Sequence, residues 1–185
     1  MINDGLSSGL IEHFDAKKDE MDKLSSQIKQ ILDDADLAYK INWKVKDIQF
    51  PDQPAEYYYG CREYKRHIID ETEYPGNVNK DATRRKFINK KATQMLFRLN
   101  EGNGRALYLI GVEDNGAAAG IRIDEVLTTL VNFICMTDII KGCVIRTFNI
   151  YKTIKYKNQS GNDKYICTFR IILDTDKEID TFPDV

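Results

Sequence analysis

A chain of 185 residues with 42% hydrophobic content can bury one core of ordinary size, so a single domain with an appendage is expected. Lys and Arg number 27 against 29 Asp and Glu, and a net charge of -2 does not by itself announce a polyanion partner. The sequence has no apolar run of about 18 residues, and Met1-Ile2-Asn3-Asp4-Gly5 lacks the basic start and apolar stretch of a signal peptide, so no membrane partner and a cytoplasmic location are expected.

After Ser7 and Ser8, which can cap a helix, Leu10, Phe14, Met21, Leu24, Ile28, Ile31 and Ala35 recur at helical steps, with Lys17 interrupting the seam. This predicts a long N-terminal helix, docked on its own domain or on one partner protein helix. The segment is acidic, with Glu12, Asp15, Asp19, Glu20, Asp22, Asp33, Asp34 and Asp36. Beyond Pro51 and Pro54, the aromatic alternation from Glu56 to Ile68 predicts two linked strands or one bent strand, ended by Glu73-Tyr74-Pro75-Gly76-Asn77. On residue type, Tyr57, Tyr58, Tyr59 and Tyr64 pack a sheet more often than they stack on unpaired bases.

Asp81 can cap a second helix in which Arg84, Ile88, Lys91, Met95 and Leu99 share a face, broadened by Phe87, Ala92 and Leu96 and stopped at Gly102 and Gly104. Its exposed side carries Arg85, Lys86, Lys90 and Arg98, with no acid between Ala82 and Asn100. Ala106 to Val112 reads as a central strand closed by the turn Glu113-Asp114-Asn115-Gly116. A third helix is expected from about Asp124 to Ile140, then an antiparallel pair, Val144 to Tyr151 and Lys164 to Leu173, joined by a loop over Asn158 to Asp163. The fold class is α+β, a mixed and mostly antiparallel sheet covered by helices. The expected division is a helical segment at 1–50, the α+β domain at 51–175 and an acidic tail at 176–185. Cys61, Cys135, Cys143 and Cys167 show neither CxxC nor zinc-ligand spacing and are expected as free thiols.

The run Lys91-Ala92-Thr93-Gln94-Met95-Leu96-Phe97-Arg98-Leu99-Asn100-Glu101-Gly102-Asn103-Gly104-Arg105-Ala106-Leu107-Tyr108-Leu109-Ile110-Gly111-Val112-Glu113-Asp114-Asn115-Gly116, with Glu63-Tyr64-Lys65 upstream, resembles the region before the GTPase module in the GTP-binding protein 1 and 2 family. The similarity covers about Glu56 to Arg170. In that family the chain continues into a P-loop GTPase related to translation elongation factors. This sequence contains no GxxxxGK[ST] motif, so no small-molecule nucleotide is expected to bind. An excised N-terminal domain and a protein without the GTPase are the two readings of that absence.

More distantly, Glu63-Tyr64-Lys65 and Gly111-Val112-Glu113-Asp114-Asn115-Gly116 resemble the motifs of the Schlafen or AlbA-like nucleic-acid-binding domain. In Schlafen nucleases two glutamates and an aspartate are thought to hold a divalent ion, and by position Glu63 and Asp114 match. The remaining glutamate is expected where Tyr58 stands, and Glu56 could replace it only through a bulge. The resemblance therefore implies an incomplete catalytic pair, with Mg²⁺ or Mn²⁺ as its cofactor only if the nuclease reading holds.

On residue type alone Asp114 is a turn former. Lys65, Arg66, Arg85, Lys86, Lys90 and Arg98, with Lys155 and Lys157 and the neighbouring Lys152 and Lys164, share one sign and favour an RNA partner. His13 and His67 lie in no nucleophile motif. Two functions follow: a non-catalytic RNA- or ribosome-binding module, or a metal-dependent endoribonuclease acting on structured RNA such as tRNA. Tyr58 favours the first. Without a phosphate-cradling loop and its Lys, the purified chain should show no saturable binding of a labelled GTP analogue, and micromolar binding would defeat that expectation.

Overall fold

The structure is a computed structural model that describes residues 5–68, 80–153 and 164–173. It divides into two units, Met1–Lys40 and Ile41–Val185. The first is helix α1, Gly5–Asp34, in which Leu24, Ile28 and Leu32 form a fully buried stripe at steps of four. On the opposite side Lys29 pairs with Asp33 at 2.5 Å and Gln30 bonds Asp34 at 2.7 Å, both one turn apart. The helix stops because Asp36 turns left-handed at φ 56°, letting the Leu37 amide reach the Leu32 carbonyl at 2.8 Å. An acid takes a position that glycine usually fills; its carboxylate accepts from Tyr39 Oη at 3.2 Å and Lys40 Nζ at 3.4 Å.

The second unit runs β1 (Asn42–Gln49), β2 (Arg62–Lys65), α2 (Lys80–Glu101), β3 (Arg105–Ile110), α3 (Ile123–Ile139), β4 (Cys143–Thr153) and β5 (Lys164–Leu173). The five strands form one mixed sheet in the order β1-β4-β5-β3-β2. Two pairs, β3 with β5 and β4 with β5, are antiparallel, while β1 with β4 and β2 with β3 are parallel. The α+β class and the mixed sheet are as the patterning predicts, and α2, β3 and α3 fall within a few residues of expectation. The expected strand pair of the last third is also there, with β4 longer than predicted.

Two elements differ. β1 lies inside the stretch read as the N-terminal helical segment, because its alternation is masked by Lys44, Lys46, Asp47 and Gln49 on a sheet edge, where charge guards an open ladder. The stretch 56–68 holds one strand of four residues rather than two strands or a bent one. The Tyr64 amide donates to the Glu56 carboxylate at 2.6 Å, so the chain before β2 folds over as a loop. The predicted turn at Glu73 to Asn77, the loop at Asn158 to Asp163 and the acidic tail lie outside the described residues.

Both sheet faces are buried at the centre, where Tyr165, Ile166, Cys167, Phe169 and Ile171 of β5 and Leu107, Leu109 and Ile110 of β3 have no exposure. On the helix side an aromatic column crosses the strands. Phe133 of α3 stacks on Phe169 at 3.8 Å between centroids, Phe169 stacks on Phe148 at 4.5 Å, and Tyr108 meets Phe133 edge-on at 5.2 Å. α2 adds Ile88, Ala92, Met95 and Leu99, all buried. On the other side Phe50, Tyr64, Leu107, Leu109, Val112, Ala118, Tyr151 and Ile166 form one apolar cluster. All four cysteines are free; burial pushes the Cys143 thiol up to about 12 and raises that of Cys167 further, which leaves both unreactive. Among the described residues no helix is long and apolar enough to cross a membrane.

Phe133 should dominate the stability of this core. Phe133→Ala should cost about 3–5 kcal/mol in urea unfolding, whereas truncating Phe97, 55% exposed on α2, should change it by less than about 0.5 kcal/mol. Equal effects would contradict the packing described.

Candidate functional site

β2 sits at the sheet edge with Glu63 opposite Tyr108 of β3 in a parallel register. Strand alternation sends Tyr64 into the apolar cluster and Glu63 to the face that α2 covers, where it is only 7% exposed. A carboxylate there must be paired or it will not stay charged. Arg98, in the last turn of α2, donates from Nε to Glu63 Oε2, and Lys65 Nζ meets Glu63 Oε1 at 2.6 Å.

The same guanidinium continues outward. Arg98 Nη1 donates to Glu101 Oε2 at 3.1 Å, to the Tyr58 carbonyl at 2.8 Å and to the Gly60 carbonyl at 3.4 Å. Glu101 in turn accepts from the Gly60 amide at 3.3 Å. Burial works against the Arg98 charge, but the Glu63 charge and hydrogen bond outweigh it and hold its pKa above the ordinary value. Burial, with the Glu63 charge second, also raises the Tyr108 hydroxyl. Glu101 carries a structural role that the sequence reading did not single out; its spacing of three from Arg98 is the signal for that part of the network.

Glu56 approaches from the preceding loop. Burial raises its carboxyl, countered by the Tyr64 amide, and the Glu63 charge raises it further. Its own amide donates to the Asp114 carbonyl at 2.8 Å, and the Gln53 amide donates to the Gly116 carbonyl at 2.8 Å, so the 53–56 loop is laced to the turn after β3. Gly116 permits that approach. It adopts φ 88°, and a Cβ there would run into the Gln53 carbonyl oxygen.

Asp114 is exposed and joins this arrangement through its backbone carbonyl. Gly116 N–H to the Glu113 carbonyl at 2.8 Å, and Ala117 N–H to Asn115 Oδ1 at 3.0 Å, define its setting as a tight turn. Among the described residues no group of three or more His, Cys, Asp or Glu is placed to hold a metal ion. Glu63, the carboxylate that a divalent ion would need, has both oxygens engaged by cations. As placed, the trio Glu56, Glu63 and Asp114 therefore does not fit Mg²⁺ or Mn²⁺.

The basic residues separate into two sets. Lys65 and Arg98 serve Glu63, and Arg66 pairs with Glu113 Oε1 at 2.9 Å and bonds the Gly120 carbonyl, so these three are ion-pair partners rather than open contacts. Arg85, Lys86 and Lys90 stand exposed on α2. Lys155 and Lys157 lie outside the described residues. Tyr64 is buried at 1% exposure, but Tyr57, Tyr58 and Tyr59 are 80%, 79% and 75% exposed and do not pack the sheet.

No protein-family model matches the chain, and no solved structure matches it. It is 35% identical over 80 residues to GTP-binding protein 2 of Mus musculus and equally to GTP-binding protein 2 of Homo sapiens. The match covers 43% of this chain and 11% of those relatives, so the chain spans about a tenth of their length. This supports a relationship to GTP-binding-protein-like chains.

The buried network should be read out as stability. Arg98→Ala leaves Glu63 without its principal partner and should cost about 3–5 kcal/mol in urea unfolding. Arg98→Lys should recover only part of that, since an ammonium cannot fork between a carboxylate and two carbonyls. A fully stable Arg98→Ala protein would show that Glu63 is not held as described.

Proposed function

We propose that this chain is a non-catalytic RNA-binding module, acting in the cytoplasm on ribosomal or other structured RNA, and related to a segment of GTP-binding protein 2. The observation that carries the reading is the exposed trio Arg85, Lys86 and Lys90 on α2. At about 100° per residue they occupy one sector of about 140°, with Lys86 and Lys90 turned away from the buried Ile88, Ala92, Met95 and Leu99 and Arg85 at the border of that stripe. Among the described residues none of the three is drawn into an ion pair. Concentrated positive charge on a rigid helix is what a phosphate backbone requires.

The engagement of Glu63 by Arg98 and Lys65 supports the non-catalytic form over the nuclease. A phosphodiester-cleaving site needs carboxylates free to hold a cation against the substrate phosphate, and here the central one is neutralised from within. The distant resemblance to Schlafen or AlbA-like domains then bears on nucleic-acid binding rather than cleavage.

Replacing Arg85, Lys86 and Lys90 together by Ala should weaken binding to structured RNA by roughly ten-fold or more and reduce the salt slope by about two to three units. Thermal unfolding should hardly move, because exposed charges contribute little to stability. RNA incubated with the parent protein and Mg²⁺ or Mn²⁺ should stay intact. Unchanged affinity of a folded triple variant across a salt series would leave α2 as a solvated face. Absence of parent affinity at low salt would favour a protein partner instead.

A further inference from the structure

We propose that Tyr57, Tyr58 and Tyr59 form a pre-organised stacking platform for unpaired bases, making single-stranded RNA segments the substrate class of this module; the proposal rests on the RNA-binding reading above. Three consecutive large aromatics are between 75% and 80% exposed, which the fold does not need, since the loop is held by its main chain and not by these rings. Arg98 Nη1 grips the Tyr58 and Gly60 carbonyls, Glu101 takes the Gly60 amide, and Glu56 is tied to Asp114 and Tyr64. The backbone is thus ordered on folding, so a ligand does not have to order it on binding.

The ring geometry suits capping a base. Tyr58 and Tyr59 meet edge to face, 4.8 Å apart between centroids at an interplanar angle of 85°, so the edge of one ring covers one face of the other and the remaining ring faces stay open. Stacking on aromatic faces is tolerant of base identity, as an unspecialised single-strand contact requires. The charge to accompany it lies along the helix that holds the loop. From Arg98, Lys90, Lys86 and Arg85 stand back along α2 by about 12, 18 and 20 Å at 1.5 Å per residue, within the span of a single-strand site of about 4–16 nucleotides. An apolar peptide would also meet exposed rings, but it has no use for the adjoining cations, which is why bases are the occupant argued here.

The test measures fluorescence anisotropy of a labelled oligo(A) of about 12 nucleotides and of an abasic oligonucleotide with the same number of phosphates. The parent should bind oligo(A) more tightly than the abasic strand. The combined Tyr57→Ala, Tyr58→Ala and Tyr59→Ala variant should lose about ten-fold or more for oligo(A), with an unchanged salt slope and little change for the abasic strand. The combined Tyr→Phe variant should keep the parent's affinity, since stacking needs the ring and not the hydroxyl. Equal binding of both strands by the parent, or oligo(A) binding by the Ala variant at parental strength, would overturn the platform while leaving the α2 contact standing. A parent that binds structured RNA but not oligo(A) would overturn it too. A parent that binds none of these would remove both readings.

Discussion

Arg98 meets Glu63 under the cover of α2, and much of the described domain edge hangs on that contact. β2 is four residues long and pairs with β3 alone, too little ladder to hold an edge strand in place by itself. Arg98 ties it to the end of α2, and the same guanidinium holds the two carbonyls at Tyr58 and Gly60. Strand, helix end and loop are fixed through one side chain. Burying such a pair costs solvation on both ions, so its justification lies in specifying one arrangement more than in raw stability.

That arrangement decides which charges remain for a ligand. Lys65, Arg66 and Arg98 are used inside the protein, so the one-sided sign visible in the sequence overstates the free positive surface. What is left on the described part of α2 is a compact group near its N-terminal half. Glu63, the residue that the nuclease motif would make a metal ligand, becomes the anchor of a structural network instead. The same residues can serve either chemistry, and the local cations select between them.

Legibility in the sequence followed the range of the interaction. The helices and the central strands came through because Ile88, Ala92, Met95 and Leu99 repeat at helical steps and Ala106 to Ile110 is a continuous apolar run, both local signals. β1 did not, since an edge strand with Lys44, Lys46 and Asp47 lacks the apolar alternation that marks a half-buried one. Residue type favours sheet packing over base stacking for the three exposed tyrosines, and the loop's tertiary hydrogen bonds override that preference. The engagement of Glu63 by Arg98 spans 35 positions and has no local signature at all.

The central claim is that Glu63 belongs to Arg98 and not to a divalent metal ion. The direct measurement is NMR of the isotope-labelled protein during a titration with Mn²⁺, following the Arg98 Nε–H and the amides of Glu56, Glu63 and Tyr64. The account predicts a persistent, slowly exchanging Arg98 Nε–H and no selective paramagnetic broadening at those amides. Saturable broadening centred on Glu63 at micromolar Mn²⁺, with loss of the Arg98 signal, would contradict it.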